Sequence, residues 1–373
     1  MKRTVAFLLS FLLMLSIFGC RLPEKNVSQT PQATPEVVLS TEQTEPATTA
    51  EQTPTLMPTE TLLPTDTPQS AQETAPDGKG VINFTIVLHL EGWHDGENET
   101  SFRRHAEQLR EYADLFEQYG ATMSLESKEI IDGCINWNDN VLLELQQRGH
   151  AVGIHADAGG QDGATIRSIV RTLTEMRGKL LLLGINATFA SGVASKANWV
   201  KACEDAEIDT VSCMVAYGLW SLDESLRPAE FEPYRSPSVG HAPYPFELED
   251  RLTPWLAEDG SNWIIDDPAG KVLIIPSGLS LNNAYEELNG ITGGKSELDA
   301  EDIETWQEIL PRLVEASDSG KVNTFYAVWS FGSAVDMGLL EEWLQLIDGY
   351  VQSGNLRWST IPEMAELYRA NMQ

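Results

Sequence analysis

Residues 148–160 read RGHAVGIHADAGG. The segment just before, NDNVLLELQQRG (138–149), has helical periodicity and stops at Gly149, because glycine takes the left-handed backbone that closes a helix without steric cost. A short apolar run, HAVGIHA (150–156), follows and ends on His155 and Asp157 before two glycines. The reading is helix, strand, then loop, with an imidazole and a carboxylate at the strand's end.

The same alternation extends in both directions. VINFTIVLHLE (81–91) is rich in β-branched residues and predicts a strand. Phe102, Ala106, Leu109, Ala113 and Phe116 recur at helical spacing, and ATMSLES (121–127) is the next strand. Beyond residue 160 come a helix over 163–183, a strand over 185–191, a helix near 195–206 and a strand over 209–215. An irregular, Pro- and Trp-rich insertion (217–270) interrupts the pattern. Strands at 271–277, 322–330 and 356–360 then alternate with helices at 299–316, 336–352 and 362–371. Seven or eight strands with intervening helices predict an α/β fold with a parallel sheet, closed into a (β/α) barrel or left open and doubly wound. Neither G-x-G-x-x-G nor G-K-[ST] occurs, so nothing supports nucleotide binding.

The ends set the location. MKRTVAFLLSFLLMLSIFGC (1–20) has a basic start, an apolar run and a small residue before a cysteine. It predicts an export signal, and its IFGC ending is similar to a bacterial lipobox that would leave Cys20 lipidated. Residues 26–78 hold no Lys, Arg or aromatic residue and are dense in Thr, Pro, Glu and Gln. Such a segment cannot bury enough apolar surface to offset ordering, so 21–79 is expected to be a disordered tether and 80–373 one large domain. The chain is thus expected outside the cytoplasm, touching a membrane only through its lipid. A net charge of −31 argues against nucleic acid as a partner. Cys203 and Cys213 are the nearest pair for a disulfide, with small buried thiols as the alternative.

Six histidines occur. His89 ends the first strand with Glu91 two residues on, and His155 and Asp157 end the third with the same spacing. His94 lies in the loop after the first strand and His241 in the insertion. His105 falls within a helix, and His150 opens a strand at the end away from any site. Imidazole and carboxylate converging from separate strand ends fit Zn²⁺ or another divalent metal. Trp93, Trp220, Trp255 and Trp263 lie in predicted loops or the insertion. Trp93 and Trp263 are candidates for stacking on sugar rings, with packing beneath a long loop as the alternative.

Three stretches carry a resemblance. LLELQQRGH running into AVGIHAD is similar to the L…GHEIGNHS segment of the polysaccharide deacetylases. YRSP (234–237) resembles their Arg-x-Pro motif, and LRWSTIPEMAELY their closing strand and helix. The resemblance spans about residues 80–370 in order and spacing. It implies a distorted (β/α) barrel that uses a divalent metal to remove acetyl groups from chitin-like or peptidoglycan sugars. It also implies a ligand at His155 and an orienting residue at Arg235. LHLEG stands where the family has T-F-D-D-G or D-x-E, so Glu91 becomes the carboxylate ligand and His89 or Glu91 the base. The family's second metal histidine falls on Gly159, where Asp157 substitutes, and the late strand YAVWSFG lacks the usual histidine. His241 is then the candidate acid. Two other functions stay open: a non-catalytic glycan-binding lipoprotein on this fold, and a glycoside hydrolase with Glu91 and Asp157 as its carboxylate pair.

Overall fold

Strand β1 (Ile82–Leu90) is buried along nearly its whole length on both faces, as a central strand of a parallel sheet must be. The structure, a computed structural model, describes residues 75–372 apart from 77, 91–93, 161–162, 235–240, 292–296 and 332–334. Cys20, the tether as far as residue 74, Glu91, Trp93 and Arg235 lie outside the described residues. After β1 come α1 (Glu99–Gln118), β2 (Met123–Ser127), α2 (Ile130–Asn136), α3 (Val141–Gln147), β3 (Ala151–His155), α4 (Ile166–Leu182), β4 (Phe189–Ser191), α5 (Trp199–Asp205) and β5 (Thr210–Val211). The insertion contributes β6 (Trp255–Ala257). The chain ends through β7 (Val272–Ile274), β8 (Leu279–Ser280), α6 (Ala284–Leu288), α7 (Ala300–Ala316), β9 (Asn323–Ser330), α8 (Met337–Gln352), β10 (Leu356–Trp358) and α9 (Ile361–Asn371).

The fold is α/β, built on a mostly parallel ten-stranded sheet in the order β6-β7-β5-β4-β3-β2-β1-β9-β8, with β10 paired to β1. Only the β6–β7 pairing is antiparallel among the described strands, so the insertion adds a strand that the alternation did not predict. No ladder joins β8 back to β6 or β7 among the described residues. The insertion spans this seam: Ser277 N–H donates to Tyr244 O at 3.2 Å, and Arg251 Nη1 donates to Gly278 O at 2.8 Å.

Two-residue alternation sorts the strand side chains. Phe84, Ile86 and Leu88 of β1 face outward into a large apolar cluster with Phe102, Leu109, Trp306 and Trp343 of the helices. Val87 faces inward, into a separate cluster with Phe189, Leu273, Ile275 and Tyr326. Ile361, Met364 and Ala365 of α9 complete that inner cluster, and Ile361 N–H donates to Ser124 Oγ at 3.0 Å. The strands therefore wrap an interior that α9 closes at one end. The opposite end, at the strand C-termini, is where a site can form.

Several expected elements are shorter. The strand anticipated over 209–215 stops at Val211, because the chain turns at Cys213 with φ of +51°. The one over 185–191 begins at Phe189, since Ala187 O accepts from Arg177 Nε at 3.2 Å instead of entering a ladder. The packed region also starts before residue 80. Ala75 is buried, its N–H donates to Lys79 O at 2.9 Å, and Lys79 pairs with Glu315 at 2.9 Å. The described cysteines Cys134, Cys203 and Cys213 are free thiols, so no Cys203–Cys213 bridge forms.

Candidate active site

The site follows from strand register. His89 is the register partner of Glu126 on β2, and Glu126 that of Gly153 on β3. One step further along, His155 is the partner of Ser191 on β4. Parallel partners point the same way, so His89, Glu126, His155 and Ser191 all face the interior at its open end. Gly153 offers no side chain there. A Cβ on it would lie 2.5 Å from Phe189 Cε2, so glycine is needed where the Phe189 ring fills the interior.

Glu126 is the centre of the arrangement. Its side chain has no solvent exposure, and a buried carboxylate is costly unless its oxygens are satisfied. Ser212 Oγ donates to Oε1 and Ser191 Oγ donates to Oε2. His89 Nε2 stands 2.8 Å from Oε2, a close ion-pair contact that lacks hydrogen-bond alignment. Burial opposes ionisation of Glu126, but the charge and contact of His89, with His155 and Ser191 adding, hold its carboxyl below the ordinary value. His89 is the reciprocal case. Burial disfavours its charge, yet Cys213 and Glu126 raise its pKa well above the ordinary value.

Ser191 also fixes a ring proton. Its one hydroxyl proton goes to Glu126, so at 2.8 Å from His155 Nδ1 its oxygen must accept. His155 therefore carries a proton on Nδ1. Its ring lies 4.5 Å from that of His89, centroid to centroid.

Cys213 completes the floor. Its Sγ, a His89 ring nitrogen and a Glu126 oxygen all lie within 4.8 Å of one another. Its N–H donates to the buried Tyr326 hydroxyl at 2.7 Å. Burial raises the Cys213 thiol, and the Glu126 charge adds to that. Burial also pushes Cys134 and Cys203 up to about 12, with no charged group acting on Cys203 and Asp139 and Arg110 opposing each other at Cys134. Above the floor is a cavity of about 360 Å³ whose walls include Val193, Met214, Tyr217 and Val328.

Of the residues singled out in the sequence, His89 and His155 meet on this floor, and Asp157 and His241 line the cavity. Asp157 is not in the cluster: at φ of +43° it turns its carboxylate to Lys128 Nζ, 3.2 Å away, with 59% of the side chain exposed. His94 is exposed beside Glu97 and does not line the cavity. Trp263 is fully buried and donates Nε1 to Gly218 O at 3.1 Å. Rings of Trp199, Tyr244 and Trp255 surround it, so it packs the core under the insertion and offers no face to a sugar. Glu126, Ser191, Ser212 and Tyr326 were not singled out, and Cys213 only as a disulfide candidate. The signal for Glu126 was present: it is the one acidic residue of a short strand, placed on the same alternating face as Ser124.

No protein-family model matches the chain, and no curated protein matches it in sequence. Among solved structures the chain is similar to the Puue allantoinase, with a TM-score of 0.49 and 12% identity over 83% of this chain and 98% of that one. It is also similar to a probable polysaccharide deacetylase from Pseudomonas aeruginosa, with a TM-score of 0.47 and 14% identity over 76% of this chain and 90% of that one. A third likeness is to a 4-alpha-glucanotransferase from Thermococcus litoralis, with a TM-score of 0.45 and 16% identity over 77% of this chain. The matched region spans 40% of the length of that enzyme.

Proposed function

We propose that the chain is a metal-dependent hydrolase that removes acetyl groups from an amino-sugar glycan, and that it works outside the cytoplasm on a lipid anchor at Cys20. The observation that carries the reading is the convergence of His89, Glu126 and Cys213 at the floor of the cavity. The donor set fits a metal. His89 Nε2 is buried with no hydrogen-bond partner, and a nitrogen, a carboxylate oxygen and a thiol together suit Zn²⁺ better than Mg²⁺ or Ca²⁺. Of the expected set, His155 is engaged with Ser191 through Nδ1 and Asp157 turns to Lys128, while Glu91 lies outside the described residues.

When bound, a divalent ion there supplies Lewis-acid polarisation of a carbonyl and acidifies water. The remaining work belongs to the chain. Water adds to the acetamide carbonyl carbon, and His155 Nε2 takes the proton that it loses. Ser191 anchors the His155 ring through Nδ1. The carbon–nitrogen bond then breaks, and the amine nitrogen takes a proton from His241 at the cavity wall. Acetate and a free amino sugar leave.

The test measures metal content and acetate release from acetylated chitooligosaccharides. One equivalent of zinc and steady acetate release are expected, with release abolished in His155→Gln while the metal stays. A full chain that binds no zinc and releases no acetate overturns the reading.

A further inference from the structure

We infer that Tyr326 is the positioning residue that aims the Cys213 sulfur at His89 and Glu126, by receiving the Cys213 backbone N–H. The inference rests on the metal reading above and concerns a residue outside the proposed ligand set.

Two observations carry it. First, Cys213 follows the last ladder position of β5 and adopts φ of +51°. A side-chain-bearing residue rarely takes that conformation, and it persists only where the surroundings impose it. Ser212 N–H still donates to Ala190 O at 3.1 Å, so β-sheet bonding ends immediately before the turn. Second, the Cys213 N–H that this turn swings inward is received by the Tyr326 hydroxyl at 2.7 Å. Tyr326 lies on β9, across the interior from β5. Without the phenol a buried N–H would be orphaned, at a cost of about 1–3 kcal/mol. With its backbone held there, Cys213 keeps its Sγ within 4.8 Å of a His89 nitrogen and a Glu126 oxygen.

Tyr326 is held rigidly enough to act in this way. It is fully buried among Val87, Phe189, Leu273 and Ile275. Gly278 packs so closely that a Cβ on it would meet the Tyr326 carbonyl oxygen at 2.0 Å. A group that hydrogen-bonds a metal ligand fixes its orientation and tunes its donor strength, commonly worth about ten- to a hundredfold in metal affinity.

The experiment uses the full chain as parent, Tyr326→Phe and Cys213→Ser, each titrated with Co²⁺. Cobalt bound through thiolate gives a near-ultraviolet charge-transfer band that a merely structural tyrosine would leave alone. In Tyr326→Phe the band should shift and affinity should fall about ten- to a hundredfold. In Cys213→Ser the band should vanish. A second readout needs no metal: amide hydrogen exchange at Cys213 should quicken by at least about tenfold in Tyr326→Phe, with β1 exchange unchanged. Unaltered Cys213 exchange in Tyr326→Phe, or an unaltered band and affinity, overturns the inference, as does a band that survives in Cys213→Ser. If the parent binds no cobalt, the metal reading falls by itself. The exchange measurement then still decides whether Tyr326 holds the Cys213 backbone.

Discussion

The imidazole rings of His89 and His155 lie with centroids 4.5 Å apart and planes inclined at 37°, although β2 separates their strands in the sheet. They reach each other because the sheet curves, and because Gly153 leaves the β3 face bare one alternation before His155. Gly153→Ala should therefore be destabilising. Its Cβ would press on Phe189 at 2.5 Å within an interior that cannot expand. A loss of about 1–3 kcal/mol is expected for overpacking of this kind, read as a lower urea midpoint with unchanged m-value.

The carboxylate that matters should be Glu126. Glu126→Gln keeps the shape but removes the charge facing His89. Zinc affinity should fall by more than the roughly hundredfold that loss of an outer partner costs. Asp157→Asn should leave zinc affinity near that of the parent, because Asp157 faces Lys128. Calorimetric titration of both variants checks this, and the reverse ranking would return the metal to the loop.

Metal binding should be opposed by protons. The metal-free site favours a protonated His89 and a protonated Cys213, since the first is raised by Cys213 and Glu126 against burial and the second chiefly by burial. Both must lose protons to coordinate. Zinc affinity should rise with pH through the neutral range, and binding should release protons, measurable as a buffer-dependent enthalpy.

His150 gives a separate pH signature. It is buried at the start of β3, where its Nδ1 accepts from Met123 N–H at 3.1 Å. Burial lowers its pKa, with Glu117 partly offsetting. A base lowered in the folded state binds more protons when unfolded, so its contribution is complete above the ordinary value of about 6.5 and is lost as pH falls below it. Glu117, held low by Arg148, loses its contribution only at more acidic pH. His150→Gln should flatten the parent's decline in urea stability just below neutrality and leave the acid limb in place. An unchanged decline would assign it to other groups.

The strand–helix order was legible in the sequence because parallel strands are apolar on both faces and amphipathic helices repeat every three or four residues. His89 and His155 were legible for a related reason: polar residues that end apolar runs must face a site or water. Glu126 was hidden by the same logic that places it. Within MSLES a lone acid reads as the solvent face of a half-exposed strand, and only the curvature of the sheet turns that face inward. The contact of Cys213 with Tyr326 was invisible because it joins the end of β5 to β9 through the interior, a relation that no local pattern encodes. Trp263 misled, since an aromatic in an irregular insertion reads equally as a platform or as packing, and its indole N–H bond to Gly218 settles the matter.

The neighbour-by-neighbour pairing of His89 with Glu126 and of His155 with Ser191 makes correct assembly self-reporting. Because strand side chains alternate, sliding β2 by one position would exchange Glu126 for Leu125 or Ser127 and drive the acid into the hydrophobic layer beneath the helices. Such a misthreaded chain could keep its helix content and compactness but would have no carboxylate to offer a cation. On the proposed metal site, cation uptake would be a stricter criterion of native structure than circular dichroism or size. During refolding it should be the last signal to recover.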